Sequence, residues 1–157
     1  MSRVLERLDG LRDAPEIQRI LLSEGFNFAS TQYFVPVRNK TDLKSLEEPI
    51  KVSLRKAQPH RYSSGLVELP IRFMTDVHAF RTLDLDLSTW LELLELAIKY
   101  CHENKLVWNF CCHPVFLAVK DPYCHTIKTI LEIATSPSVR CWITDNYEVW
   151  KFLRRGV

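Results

Sequence analysis

The residues best suited to chemistry stand at the end of one apolar run, where Leu106-Val107-Trp108-Asn109-Phe110 leads into Cys111-Cys112-His113-Pro114. The run has the length and composition of a buried strand. In α/β proteins such strands deliver reactive side chains to the rim at their carboxyl ends. Because an imidazole exchanges protons near neutral pH, His113 is the first candidate for acid–base chemistry. A histidine before proline is also compatible with simple capping of backbone groups.

A second set of polar side chains lies between Arg72 and Asp86, a stretch that is typical of a loop at such a rim. It carries Asp76, His78, Asp84 and Asp86. Carboxylates and imidazoles in loops often order the loop itself by bonding nearby backbone groups. Asp76 and His78 are therefore compatible with a structural role as well as with a place in a site.

Soft metal ligands gather near the same run, since Cys111, Cys112, His113, Cys124 and His125 are types that bind structural zinc. Their spacing matches no finger, knuckle or ribbon pattern. Adjacent cysteines on a strand also point to opposite faces. Both features count against a zinc site, which is the rival interpretation of these residues.

Hydrophobic periodicity places the elements that must position these groups. Helices are predicted from Ala14 to Glu24, ended by Gly25, from Ser88 as N-cap through Cys101, from Tyr123 to Ala134, and from Asp145 as N-cap through Leu153. Strands are predicted at 26–30, 66–71, 106–110 and 139–144. Residues 115–121 are predicted to form a segment of the rim. Residues from about 35 to 64, which include Pro36, Pro49 and Pro59, are predicted to form an irregular insertion.

This order of elements predicts an α/β protein with about four mostly parallel strands joined by crossover helices. At 157 residues the chain suits a single domain spanning residues 1–157. Four strands are too few to close a barrel of the parallel type, which needs about eight strands and roughly 250 residues.

Composition excludes several classes of protein. With 21 basic and 19 acidic residues, the formal charge of +2 is too balanced to indicate a nucleic-acid partner or an anionic membrane surface. No apolar run reaches the roughly 18 residues of a membrane span, and Met1 to Arg7 lacks the apolar core of a signal peptide. Five cysteines, an odd number with two adjacent, favour reduced thiols over a disulfide framework. We therefore expect a cytoplasmic protein.

The motifs taken together resemble the C-terminal half of a polysaccharide deacetylase (NodB homology) domain, in its peptidoglycan-deacetylase-like branch. The late part of that pattern is the strand into Cys112-His113-Pro114, a helix, Val139 to Thr144, and Tyr147-Glu148-Val149-Trp150. The early part is Gly10 to Pro15, Glu24-Gly25-Phe26 and Leu66-Val67-Glu68-Leu69-Pro70. The resemblance omits residues from about 35 to 64.

The resemblance implies a partial (β/α) barrel of the glycoside hydrolase/deacetylase type. It implies hydrolysis of N-acetyl or related amide groups of a carbohydrate by water activated on a divalent metal, commonly zinc. His113 matches the general acid of that family. Arg12 matches the arginine that pairs with the catalytic aspartate, although Pro15 stands further from it than usual. Asp76 is the match for a carboxylate that tethers the arginine or tunes the histidine.

The chain departs from the family pattern at the metal site. The family's paired aspartates and histidine pair should precede Arg12, but only eleven residues do so, and no His-x-x-x-His or His-x-x-His occurs. The chain is therefore expected to be a fragment, a form that has lost its metal half, or one half of a split enzyme. The alternative function is a catalytically inactive α/β domain that binds a protein or carbohydrate. An open half-barrel also predicts self-association or a partner over its uncovered edge.

Overall fold

The computed structural model describes residues 3–6, 14–33, 43–71 and 73–155, and these divide into two compact units. The sheet unit contains the described residues up to 33, residues 57–71 and residues 144–155. The helical unit contains residues 43–56 and 73–143. The mixed α/β class predicted from the sequence is confirmed.

The sheet unit is built on four short strands: β1 (Arg3–Glu6), β2 (Phe26–Ser30), β3 (His60–Arg61) and β4 (Val67–Glu68). Their order is β1-β2-β4-β3. The β1/β2 and β2/β4 pairings are parallel and the β3/β4 pairing is antiparallel. Two of the four predicted strands, at 26–30 and within 66–71, are therefore confirmed.

Two helices belong to the sheet unit. Helix α1 (Pro15–Ser23) starts with proline, whose missing N–H costs nothing in a first turn, and buries Leu21. Gly25 ends it as predicted, because its φ of +82° suits a residue without a Cβ. The last helix, Asn146–Arg155, begins after Asp145, whose Oδ1 accepts the Glu148 N–H at 2.9 Å. This predicted cap is confirmed.

The helical unit contains four α-helices in its described part: α2 (Leu43–Lys56), α3 (Leu87–Glu103), α4 (Pro114–Lys120) and α5 (His125–Ala134). The Asn146–Arg155 helix is accordingly α6. A π-helix at His78–Thr82 precedes α3. Helix α3 packs against both α2 and α5. Its Trp90 is fully buried and stacks on Phe73 with ring centroids 5.4 Å apart.

Helix α2 lies in the segment predicted to be irregular. Pro49 lies inside this helix, whereas the prolines of the segment predicted the absence of regular secondary structure. Yet Leu46, Ile50 and Leu54 recur at intervals of four and are fully buried in the core of the helical unit. Burial of such a side chain contributes about 1.5–3 kcal/mol, which offsets the roughly 3 kcal/mol cost of an interior proline.

The predicted strand at 106–110 is wrong, because this segment lies outside the four strands of the sheet. Leu106, Trp108, Phe110 and Cys112 alternate along it as in an extended chain, but they pack on the core of the helical unit. The apolar run is therefore partly buried as predicted, but it packs on a helical surface instead of a neighbouring strand.

The predicted strand at 139–144 is also wrong. Val139 is buried against Ile98 and Ala134, and the Cys141 N–H donates to the Ala134 carbonyl at 3.1 Å. Residues 140–144 are exposed, so no apolar layer covers them as it would cover a central strand.

Two smaller corrections concern helix starts. Asp86, and not Ser88, is the N-cap of α3, because its Oδ1 accepts the Thr89 N–H at 2.7 Å. Residues 114–120, predicted as part of the rim, form α4, for which Pro114 supplies a favourable first residue.

Candidate acid–base site

His113 stands between the extended segment and α4, in β-region backbone geometry with φ −114° and ψ 105°. This is the N-cap position of α4, yet the imidazole makes no capping hydrogen bond. Pro114, the first helical residue, has no N–H. The N–H groups of Phe116 and Leu117 donate to the His113 backbone carbonyl, each at 2.9 Å. The capping interpretation of the histidine is therefore wrong, and its ring forms a hydrogen bond with a different part of the chain.

The partner of His113 is Asp76, which lies 37 positions earlier in the first turn of the helical segment that continues as the π-helix. Nδ1 of the imidazole and Asp76 Oδ1 are 2.7 Å apart. The backbone N–H of His113 donates to Asp76 Oδ2 at 2.9 Å. One carboxylate thus holds both the ring and the main chain of the histidine.

The two partners of this hydrogen bond differ in their exposure to solvent. Asp76 is fully buried, whereas the His113 side chain keeps 36% of its surface exposed. An ionised carboxylate only accepts hydrogen bonds, so the short contact places a proton on Nδ1. Nε2 is then the ring nitrogen left to take up or release a proton. A buried carboxylate that fixes an imidazole tautomer is the arrangement used for acid–base catalysis in hydrolases.

The segment before His113 lines the same region with sulfur and aromatic groups. Burial, followed by the negative charge of Asp76, raises the pKa of the Cys112 thiol. The rings of Trp108 and Phe110 lie 5.2 Å apart between centroids. Trp108 Nε1 is buried and has no hydrogen-bond partner among the described residues. Leaving a buried donor unpaired costs about 1–3 kcal/mol. Trp108 Nε1 is such a donor, and Trp108 lies close to His113 in the sequence.

The other predicted site residues have different outcomes. Arg12 lies outside the described residues, so its predicted pairing with an aspartate stays a prediction. His78 begins the π-helix, and its N–H donates to Thr75 Oγ1 at 3.2 Å. Asp86 caps α3, and the hydrogen bonds from Thr89 lower the pKa of its carboxyl.

The expected metal finds no ligand set among the described residues. Within the ranges that the structure describes, no three His, Cys, Asp or Glu side chains come together as a metal-binding group would require. The rival zinc set of Cys111, Cys112, His113, Cys124 and His125 is thus not assembled.

Sequence reasoning missed a buried carboxylate in the sheet unit. Glu68 is fully buried, and its Oε1 accepts the backbone N–H groups of Thr31 at 2.7 Å and Gln32 at 2.9 Å. Its Oε2 accepts the hydroxyls of Thr31 at 3.0 Å and Tyr62 at 3.1 Å. Four donors satisfy this charge, so Glu68 ties the end of β2 to β4. A glutamate inside the apolar run 66–70 was the signal that could have revealed it.

One surface depression is lined by neither His113 nor Asp76. It measures about 470 Å³ and is lined by residues of α2 and α3, namely Lys51, Glu92, Glu95, Leu96, Lys99, Tyr100 and Glu103. Its lysines and glutamates form ion pairs along their own helices, such as Lys99 with Glu95 at 2.5 Å. Such solvated pairs are typical of helix surfaces, and we assign this depression no chemistry.

Comparison with protein-family models, curated proteins and solved structures finds no match to the chain. Every helix in the described ranges falls short of the length and apolar character that a membrane span requires.

Proposed function

We propose that this chain is a polysaccharide deacetylase-like hydrolase with partial-barrel architecture, which hydrolyses N-acetyl or related amide groups of a carbohydrate. The observation that carries the proposal is the His113–Asp76 pair. Its short Nδ1 to Oδ1 distance, its second hydrogen bond to the His113 backbone and the burial of Asp76 give an imidazole with a fixed ring.

In this function His113 is the general acid. Amide hydrolysis produces an amine that leaves poorly unless its nitrogen is protonated. With Nδ1 bonded to Asp76, Nε2 delivers that proton, and the exposed part of the ring gives a substrate access to it. Asp76 is a positioning residue, because it touches the histidine and holds it through two hydrogen bonds.

The test is release of acetate from N-acetylglucosamine oligomers, measured with and without added zinc. His113→Ala should lower the rate about a hundredfold or more. His60→Ala is the matched control, because His60 is an exposed imidazole of β3 whose Nδ1 lies 3.1 Å from the Gln58 carbonyl oxygen. No acetate release by the unaltered chain, or equal rates for the two variants, would contradict the proposal.

A second candidate is the inactive domain that binds a partner or a second copy. It is favoured by apolar side chains on the surface of the helical unit: Val115 and Val119 on one face of α4, and Trp142 and Ile143 beyond α5. Exposed apolar surface of this kind is typical of interaction sites. Sedimentation velocity should show self-association that weakens in Val115→Ser/Val119→Ser. A stable monomer that fails to release acetate but binds a carbohydrate ligand would favour an inactive binding domain without self-association.

A further inference from the structure

Two adjacent thiols precede the candidate acid. None of the five cysteines forms a disulfide, and Cys111 and Cys112 are both half-buried in a non-helical segment. The Cys112 side chain packs against the core of the helical unit, and its thiol lies within the electrostatic reach of Asp76. The two thiols are therefore partly accessible to solvent and lie directly before His113 in the chain.

The backbone connects these thiols to the His113–Asp76 pair. The His113 N–H that donates to Asp76 Oδ2 at 2.9 Å belongs to the peptide unit between Cys112 and His113. A peptide unit is planar and includes the Cα atoms on both sides. Any rotation at Cys112 therefore turns the plane that carries this donor.

We propose that Cys111 and Cys112 are a peroxide-sensitive modification site, where oxidation to a vicinal disulfide withdraws the His113 N–H from Asp76. In an extended chain adjacent side chains point to opposite sides. A bond between the two sulfurs forms only if the chain between them twists, and this twist reaches the His113 peptide plane. The regulatory consequence rests on the proposed function, whereas the disulfide and the lost hydrogen bond do not.

The chemistry balances with a hydroperoxide as oxidant. The Cys111 thiolate attacks the peroxide, the O–O bond breaks, and Cys111 becomes a sulfenic acid while hydroxide or alkoxide leaves. The Cys112 sulfur then attacks the Cys111 sulfur and the S–O bond breaks. The departing hydroxide takes the Cys112 proton to form water, so two thiols are oxidised and one peroxide is reduced.

The bond should be easily reversed. Neighbouring Cα atoms across a trans peptide are about 3.8 Å apart. Unstrained disulfides join Cα atoms roughly 4.4–6.8 Å apart, and deviation from that range makes the bond more reducible. Dithiothreitol is therefore expected to restore both thiols and the His113 hydrogen bond.

The test treats the full chain with dilute hydrogen peroxide and then measures mass, thiol alkylation and amide exchange. We expect loss of the mass of two hydrogen atoms within single chains, loss of alkylation at Cys111 and Cys112, and retained alkylation at Cys124. The His113 amide should exchange about tenfold faster or more, because it loses a hydrogen bond to a charged acceptor. Cys111→Ser and Cys112→Ser should abolish both effects, and Cys124→Ser, at an exposed thiol, should preserve them.

None of these measurements needs a substrate, so they succeed or fail independently of hydrolysis. Disulfides only between chains, oxidation confined to Cys124 or Cys141, or sulfinic acids in place of the vicinal bond would overturn the proposal. A vicinal disulfide with unchanged His113 amide exchange would overturn the coupling to Asp76.

Discussion

Asp76→Asn is the change that most clearly separates a positioning carboxylate from a buried bystander. Asparagine keeps the size of the side chain but replaces one acceptor oxygen by an NH₂ group, which cannot accept. Asp76 receives two N–H donors from His113, at 2.7 and 2.9 Å. One of them must therefore lose its acceptor in the variant.

The expected loss of stability is moderate. A hydrogen bond to a charged group contributes about 1.5–3 kcal/mol. Removing the charge also removes the desolvation cost of a fully buried carboxylate, which offsets part of this loss. We expect about 1–2 kcal/mol for Asp76→Asn. We expect about 3–5 kcal/mol for Asp76→Ala, which leaves both donors without an acceptor and opens a cavity.

Two assays follow. Urea unfolding should show a lower midpoint with an unchanged slope, and the control Asp84→Asn should change stability by less than about 0.5 kcal/mol. Asp84 is exposed with φ +51°, a conformation that asparagine tolerates. Nitrogen-15 NMR of the imidazole should show a proton on Nδ1 in the unaltered protein and a shift toward the Nε2–H form in Asp76→Asn. Equal stability together with an unchanged tautomer would refute the positioning role of Asp76.

Three further predictions concern stability. Glu68→Gln should lower the free energy of unfolding by about 3 kcal/mol, because an amide cannot accept from all four donors. The control Glu92→Gln, at an exposed position, should lower it by less than about 0.5 kcal/mol. Equal effects of the two changes in urea unfolding would contradict this. Burial and the Glu68 charge raise the pKa of Tyr62 from 10.0 to about 12, so the folded protein keeps a proton that the unfolded chain loses. Stability should fall by about 1 kcal/mol as pH rises from 10 toward 12, after discounting the nominal roughly 2.7 kcal/mol for a half-exposed ring. The fall should vanish in Tyr62→Phe. Thr126→Val should cost about 1–3 kcal/mol, because it removes the acceptor of the buried Trp90 Nε1–H at 3.1 Å; an unchanged melting temperature would count against this.

Sequence periodicity predicted the helices with a clear apolar stripe and misassigned segments whose partners lie far away in sequence. α3 and α5 were predicted because their apolar residues recur at helical spacing, although Ile127 and Leu131 of α5 are exposed. The run at 106–110 was predicted as a strand from its apolar composition, but nothing local distinguishes a strand in a sheet from an extended segment on a helical surface. The proline in α2 outweighed the spacing of Leu46, Ile50 and Leu54, although that spacing was visible.

The candidate site was predictable only in part. His113 was found from its place after an apolar run, and Asp76 from the resemblance. The hydrogen bonds that join them span 37 positions, a separation at which no local pattern operates. Glu68 was missed for the same reason, because three of its four donors lie 36 or 37 positions away.

Chemical rescue of His113→Ala by free imidazole tests the central claim most directly. In this variant Asp76 retains the carboxylate that accepts the Nδ1–H, so an added imidazole can occupy the vacated position and present its second nitrogen. Our account predicts that acetate release by His113→Ala rises with imidazole concentration and saturates, and that Asp76→Asn combined with His113→Ala shows no such rise. A folded His113→Ala variant whose rate is unaffected by imidazole would contradict the assignment of His113 as the acid.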